Sequence, residues 1–176
     1  MPLIALDQYA PDSDFTAPGV IVACSALVPS VRGYKAAPAP YDPGYAALAD
    51  TCLGAVVAKK LDSTTRFMAG SGTNLYEFEA GAWLDRSRAS GGAYHATTDQ
   101  RWNFAQFGNV TLAANKGDVL QEITTGLFAD ISGAPKAKLV ETAGQFVFVA
   151  DTNEVGFGDS PDRWWCSAIG DYTDWT

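Results

Sequence analysis

The chain has 176 residues, 47% of them apolar and 12% aromatic, a composition of globular proteins with room for one core plus an extended arm. Its formal charge of −8, with 12 Lys and Arg and no basic run longer than Lys59-Lys60, argues against holding a nucleic-acid backbone, which draws on clustered cations. Abundant Gly, with Trp, Tyr and Phe far outnumbering Met, suits short strands and tight turns rather than a helical bundle.

The first region, residues 1–50, is rich in Pro, Ala and Gly. Pro11, Pro18, Pro29, Pro38, Pro40 and Pro43 each fix their own φ and push the preceding residue toward extended geometry, so no long helix survives there. The pattern predicts an extended N-terminal arm ordered by what it packs against. It also predicts a single strand within Gly19–Val28 and a turn or two of helix over Gly44–Asp50. The start, Met1-Pro2-Leu3-Ile4-Ala5-Leu6-Asp7, lacks the basic opening of a secretory signal. The longest apolar stretch, Gly19 to Pro29, is too short to span a bilayer. A protein made and kept in the cytoplasm until assembly is the expectation.

From residue 51 to 176 the texture is short apolar runs broken by turns. Predicted strands are Leu53–Ala58, Arg66–Ala69, Leu75–Glu79, Trp83-Leu84, Trp102–Phe107, Val110–Ala114, Val119–Ile123, Leu139-Val140 and Gln145–Ala150. Turns are expected at Asp62-Ser63-Thr64, Gly70–Asn74 and Gly81. Strands of this length with a turn every eight to twelve residues indicate an all-β meander sandwich or propeller.

An internal repeat sharpens that reading. A shift of 45 positions lays Ala69–Ser87 on Ala114–Ser132, pairing Gly72 with Gly117, Leu75 with Leu120, Glu77 with Glu122, Gly81 with Gly126, Trp83 with Phe128 and Asp85 with Asp130. A second match, shifted by 62, lays Arg101–Asn109 on Arg163–Asp171, so that Trp102 meets Trp164. Units of this size with recurring turn glycines and aromatics resemble propeller blades, which stack face to face because none buries both its faces alone. Trp83, Phe128, Trp102 and Trp164 are then the expected filling between about two blades, and Asp85 and Asp130 share a turn role, accepting backbone N–H bonds. Two blades cannot close a ring, so either the chain is a fragment or neighbouring subunits complete it.

Several segments resemble a group of bacteriophage virion structural proteins. They are Tyr9–Gly19, Val28–Tyr34, Leu53–Val56, Ala69–Tyr76, Arg101–Gly108, Gly133–Lys138 and Trp165–Trp175. The resemblance covers nearly the whole chain. It implies a virion part of the tail or head–tail region, propeller-like in fold, with other virion proteins and copies of itself as partners. Such proteins are usually several times longer, which again implies a fragment.

Catalytic and metal-binding patterns are weak. His95 is the sole histidine, sits beside Gly91-Gly92, and follows no nucleophile elbow, so it reads as an exposed loop residue. Asp151–Gly156 begins like a calcium loop, but Val155 stands where an oxygen ligand belongs and Asp162 replaces the closing Glu. Gly70-Ser-Gly-Thr73 lacks the Lys of a phosphate loop and leads into a strand. Asp85, Asp99, Asp130 and Asp162 offer a glycosidase pair only by existing. Cys24, Cys52 and Cys166 are too scattered for a metal pair and odd for a disulfide framework, hence buried or half-buried thiols. The sequence therefore predicts a non-enzymatic structural protein with no cofactor, no metal, no membrane contact and no sequence-specific nucleic acid. A glycan-binding propeller module is the alternative, and a propeller glycoside hydrolase a weaker third.

Overall fold

A computed structural model describes residues 8–10, 12–14, 20–21, 25–30, 33–38 and 44–176. Every regular element among them is a strand, and no helix is long and apolar enough to cross a membrane. The chain divides into two units, Met1–Gly44 and Tyr45–Thr176.

In the first unit β1 (Gln8–Tyr9) pairs in parallel with β2 (Val20–Ile21). β3 (Leu27–Ser30) and β4 (Gly33–Ala36) form an antiparallel hairpin. The single strand expected over Gly19–Val28 is instead two, since Ser25 and Ala26 bend and Ala26 takes a left-handed φ of 55°. Pro29 is tolerated in β3 because a two-stranded ladder leaves an outer edge where no N–H is needed. Pro11, Pro18, Pro40, Pro43 and Cys24 lie outside the described residues.

The second unit corrects the helix expected at Gly44–Asp50, which is irregular chain. A seven-residue segment cannot offset the cost of helix nucleation, and Tyr45 instead packs on Phe78 with ring centroids 5.2 Å apart. Three antiparallel sheets follow. The first is a four-stranded meander of β5 (Gly54–Lys59), β6 (Thr65–Gly70), β7 (Leu75–Glu79) and β8 (Ala82–Asp85). The second repeats the meander with β9 (Asn103–Phe107), β10 (Val110–Ala114), β11 (Gln121–Ile123) and β12 (Ala129–Asp130). The third has three longer strands, β13 (Lys136–Ala143), β14 (Phe146–Glu154) and β15 (Gly158–Cys166). The described sheets are all open; none closes into a barrel.

Side-chain alternation dictates how these sheets layer. Along β10, Leu112 and Ala114 enter one core with Val140, Val147 and Val149 of sheet three, while Ala113 enters another with Met68 and Leu75 of sheet one. The middle sheet is therefore covered on both faces, which is why β10 reads as a nearly unbroken apolar run. Loop residues complete the cores: Tyr94, Trp102 and Phe128 between sheets one and two, Ile131 and Trp175 between sheets two and three.

The repeat is visible in the ladders. Arg86 N–H donates to Leu75 O at 2.8 Å and Ile131 N–H to Leu120 O at 2.9 Å, a bond repeated 45 residues on. Phe67 faces Phe78 in sheet one and Thr111 faces Ile123 in sheet two, so across β6 and β10 the shift falls to 44. The connecting turn accounts for the missing residue. Ser71 Oγ accepts the N–H groups of Thr73 and Asn74, and Asn115 Oδ1 accepts those of Gly117 and Asp118.

β15 was not anticipated. Gly156, Gly158, Asp159, Pro161 and Asp162 break its alternation, and it survives as an edge strand with a register shift opposite Ala150–Thr152. The match shifted by 62 is corrected accordingly: Asn103–Phe107 opens sheet two, whereas Arg163–Cys166 closes sheet three.

Candidate functional site

The densest polar cluster grows from the turn between β10 and β11, residues 115–118. The Asn115 side chain folds this turn on itself, and Gly117 is needed because a Cβ there would meet His95 O at 2.7 Å. At Gly72, in the corresponding turn of sheet one, a would-be Cβ lies 3.4 Å from Ala96 O, close to an ordinary contact. Between the two turns runs the segment Tyr94–Ala96, with Tyr94 N–H on Thr73 O and Ala96 N–H on Gly72 O. Gly117 thus clears a path for a strap.

Asp118 is the centre of the cluster. Its side chain is 4% exposed and accepts from His95 N–H at 2.7 Å, Asn115 Nδ2 at 3.2 Å and Arg88 Nη2 at 3.0 Å. Burial pushes the carboxyl up, but the bonds from His95 and Asn115 and the Arg88 charge outweigh it and hold it below its usual range. Arg88 also reaches Asp130 Oδ1 at 2.9 Å and lies 4.5 Å from the Tyr94 ring centroid. Tyr94 O–H donates to Gln121 Oε1 at 3.1 Å, and burial pushes the phenol up to about 12. On the other side of the turn, Lys116 Nζ bonds Asp151 and Asp159 of sheet three, and Lys136 Nζ donates to Gly117 O at 2.9 Å. A single four-residue turn of the middle sheet thereby fastens both outer sheets.

His95 Nδ1 lies 3.2 Å from Asp118 Oδ1, the geometry in which a carboxylate orients a catalytic base. No hydroxyl or thiol completes a nucleophile pair with that ring among the described contacts. Asp118 is committed to structural donors as well. Among the described residues no group of three or more His, Cys, Asp or Glu is placed to hold a metal ion. No buried side-chain nitrogen or oxygen among them lacks a partner, so no orphan donor or acceptor awaits a ligand.

The sequence-predicted residues are distributed as follows. Trp83 is half-buried on the outer face of sheet one, edge-on to Phe78 at 5.1 Å. Phe128 is 2% exposed in the core beneath sheet one. The two match in the 45-residue repeat, but Trp83 lies on the β7–β8 ladder whereas Phe128 is a loop residue just before β12, where sheet one covers it. Trp102 is buried, donating from Nε1 to Ser71 O at 2.8 Å, whereas Trp164 is 64% exposed on the outer face of sheet three. These two do not fill equivalent gaps. Gly81 (φ 86°) and Gly126 (φ 78°) both turn the chain left-handed after their strands. Asp85 accepts Ser87 N–H at 2.8 Å and Asn74 Nδ2 at 2.8 Å, but Asp130 accepts side chains, Arg88 and Gln121 Nε2. Asp151 of the calcium-like segment lies at the irregularity within β14 and is paired with Lys116. Cys52, expected buried or half-buried, is exposed, and Cys166 is half-buried.

Sequence reasoning missed Arg66. It is buried between sheets one and two, on Glu77 Oε1 at 2.8 Å, Ile123 O at 3.1 Å and Thr124 O at 2.7 Å. The signal was present: Arg66 alternates with Phe67 onto the Met68 face of its strand. Against known proteins, the chain matches no family model and no curated sequence.

Proposed function

We propose that this chain is a non-enzymatic structural subunit of a bacteriophage virion, in the tail or head–tail region. Its stacked meanders act as propeller-like blades, and it is made in the host cytoplasm and assembles with other virion proteins and with its own copies through sheet and arm contacts. The observation that carries the reading is the layering: three antiparallel sheets stack through shared apolar cores, and the ionic residues near them serve as fasteners between layers. A scaffold needs that rigidity, and Arg88, Lys116 and Asp118 of the polar cluster are taken up as fasteners between layers. The resemblance of Tyr9–Gly19, Ala69–Tyr76 and Arg101–Gly108 to phage virion proteins supplies the particle. Purified particles of the encoding phage, digested and analysed by mass spectrometry with antibody labelling in electron micrographs, test it. Peptides of this chain and label at the tail are expected, and their absence from washed particles would remove the assignment.

A carbohydrate-binding role is the second reading. Trp164 presents its ring beside Ser160, Asp162 and Arg163 in a shallow polar depression, an arrangement suited to stacking a sugar while bonding its hydroxyls. A glycan array decides it, and no binding at millimolar sugar would end it.

A further inference from the structure

Sheet two shows what each face of such a meander packs against. Its face carrying Thr111, Ile123 and Phe128 meets the Arg66–Met68–Leu75 face of sheet one. The register relations of 44 and 45 residues place Phe67 and Phe78 of sheet one at the same ladder positions as Thr111 and Ile123, and Trp83 at the repeat position that Phe128 holds just before β12. In sheet one that face is covered at Ala69 and Tyr76, both buried, and open beside them. Val57, Phe67, Phe78 and Trp83 form a row across all four strands, with Val57 62% and Phe67 46% exposed and Tyr45 against one end. At the far end of the stack, sheet three turns Val140, Val147 and Val149 toward sheet two. Its opposite face bears Leu139, Phe148 and Trp164, with Leu139 50% exposed and the Phe148 and Trp164 rings 6.0 Å apart.

The stack thus ends in two unlike apolar faces. One is of the type that another sheet covers inside this chain, and the other is the reverse side of a covering sheet. Their charges match as well: Lys59 lies on the Val57 side of β5 and Glu141 on the Leu139 side of β13, and neither has an ion-pair partner among the described residues. The hollow lined by Leu139, Phe148, Ala150 and Trp164, with Glu141 at its wall, exposes mainly apolar surface, which favours another sheet over a sugar on that face.

We infer that the Leu139–Phe148–Trp164 face of one copy docks on the Val57–Phe67–Trp83 face of a second copy, continuing the internal sheet-on-sheet stack from molecule to molecule. This rests on the structural-subunit reading above and names its self-contact. Because the two faces differ, the contact is head-to-tail, and it yields a ring if the rotation per copy closes and a filament if it does not. Three strands of eight, nine and nine residues cover roughly 14 by 30 Å, about 400 Å². That is below the roughly 800 Å² per partner of a stable pair, so an isolated contact is transient and each variant is read over a concentration series.

The experiment uses the full chain and two single variants at exposed positions, Trp164→Glu and Phe67→Glu, with Val57→Lys as a second variant of the Phe67 face. Circular dichroism verifies that each is folded. Sedimentation equilibrium is run from about 10 µM to about 1 mM, a span covering weak dissociation constants. The wild-type mass is expected to rise with concentration beyond a dimer, and each variant alone to weaken association at least tenfold. An equimolar mixture of Trp164→Glu with Phe67→Glu is expected to recover a one-to-one pair of wild-type affinity and nothing larger, since each supplies the face the other lacks. A wild-type chain monomeric throughout overturns the inference. So does a symmetric result, in which Trp164→Glu abolishes association and the mixture restores none. Detection of the chain in particles is independent of these outcomes, so a failed mixture removes the interface without removing the virion assignment.

Discussion

Gly70 offers a sharp test of the core between sheets one and two. A Cβ built there would sit 2.2 Å from Trp102 Cδ1 and 2.5 Å from its Nε1, and the buried indole is fixed by its bond to Ser71 O. Gly70→Ala must therefore push the ring aside. Overpacking of this kind costs about 1–3 kcal/mol, and loss of the indole bond adds about 1 kcal/mol. Trp102→Ala alone is expected to cost about 3–5 kcal/mol through the cavity it leaves. In that background Gly70→Ala has no ring to displace, so the double variant should be about as stable as Trp102→Ala. That amounts to a coupling of about 2–4 kcal/mol, at or above the upper end for residues in contact. Urea unfolding followed by far-ultraviolet circular dichroism measures all four proteins without relying on the lost fluorophore. Additive costs within about 0.5 kcal/mol would refute the claim that the missing side chain at 70 exists to admit Trp102.

Three further outcomes follow from the fasteners. Arg66→Met should destabilise by about 2–4 kcal/mol, because Ile123 O and Thr124 O lose a buried donor; denaturant midpoints check it, and a change under about 0.5 kcal/mol would contradict the role. The Asp118 carboxyl is held below its usual range, so its stabilisation is fully present above the unfolded value of about 4 and fades as pH falls through the folded one. Asp118→Asn should lower stability at pH 7 and flatten the acid limb of the stability curve, whereas an unchanged limb would place the acid sensitivity elsewhere. Gly126, at φ 78° with open space around its would-be Cβ, should lose about 1–2 kcal/mol on Gly126→Val through backbone strain alone; a neutral result by thermal unfolding would show that this turn relaxes.

Most strands of sheets one and two were legible from apolar runs or alternation, and Leu75–Glu79 and Val110–Ala114 begin and end where their pattern does, whereas the two-residue β12 carries no pattern of its own. The repeat was legible for a related reason: Gly81 and its match Gly126 answer to left-handed turns, and Gly117 to the close approach of His95. What the pattern could not carry was cover. Trp83 and Phe128 look alike in sequence, and only the neighbouring layer makes one half-open and the other buried. β15 escaped because Gly158, Pro161 and the register shift beside them interrupt its alternation. The cluster around Asp118 escaped because Arg88 and His95 come from loops, Asp118 from a turn and Asp130 from β12, and no spacing along the chain announces that they meet.

Pro161 and the slipped register beside it break up the β15 edge of sheet three, so a nine-residue ladder from a stranger is disfavoured there. Fibre growth by annealing at that edge is discouraged, while the broad flat surfaces stay available. Material built from such a part would thicken by layering, like coins in a roll, and its mechanical weak planes would lie between layers rather than along hydrogen-bonded ribbons.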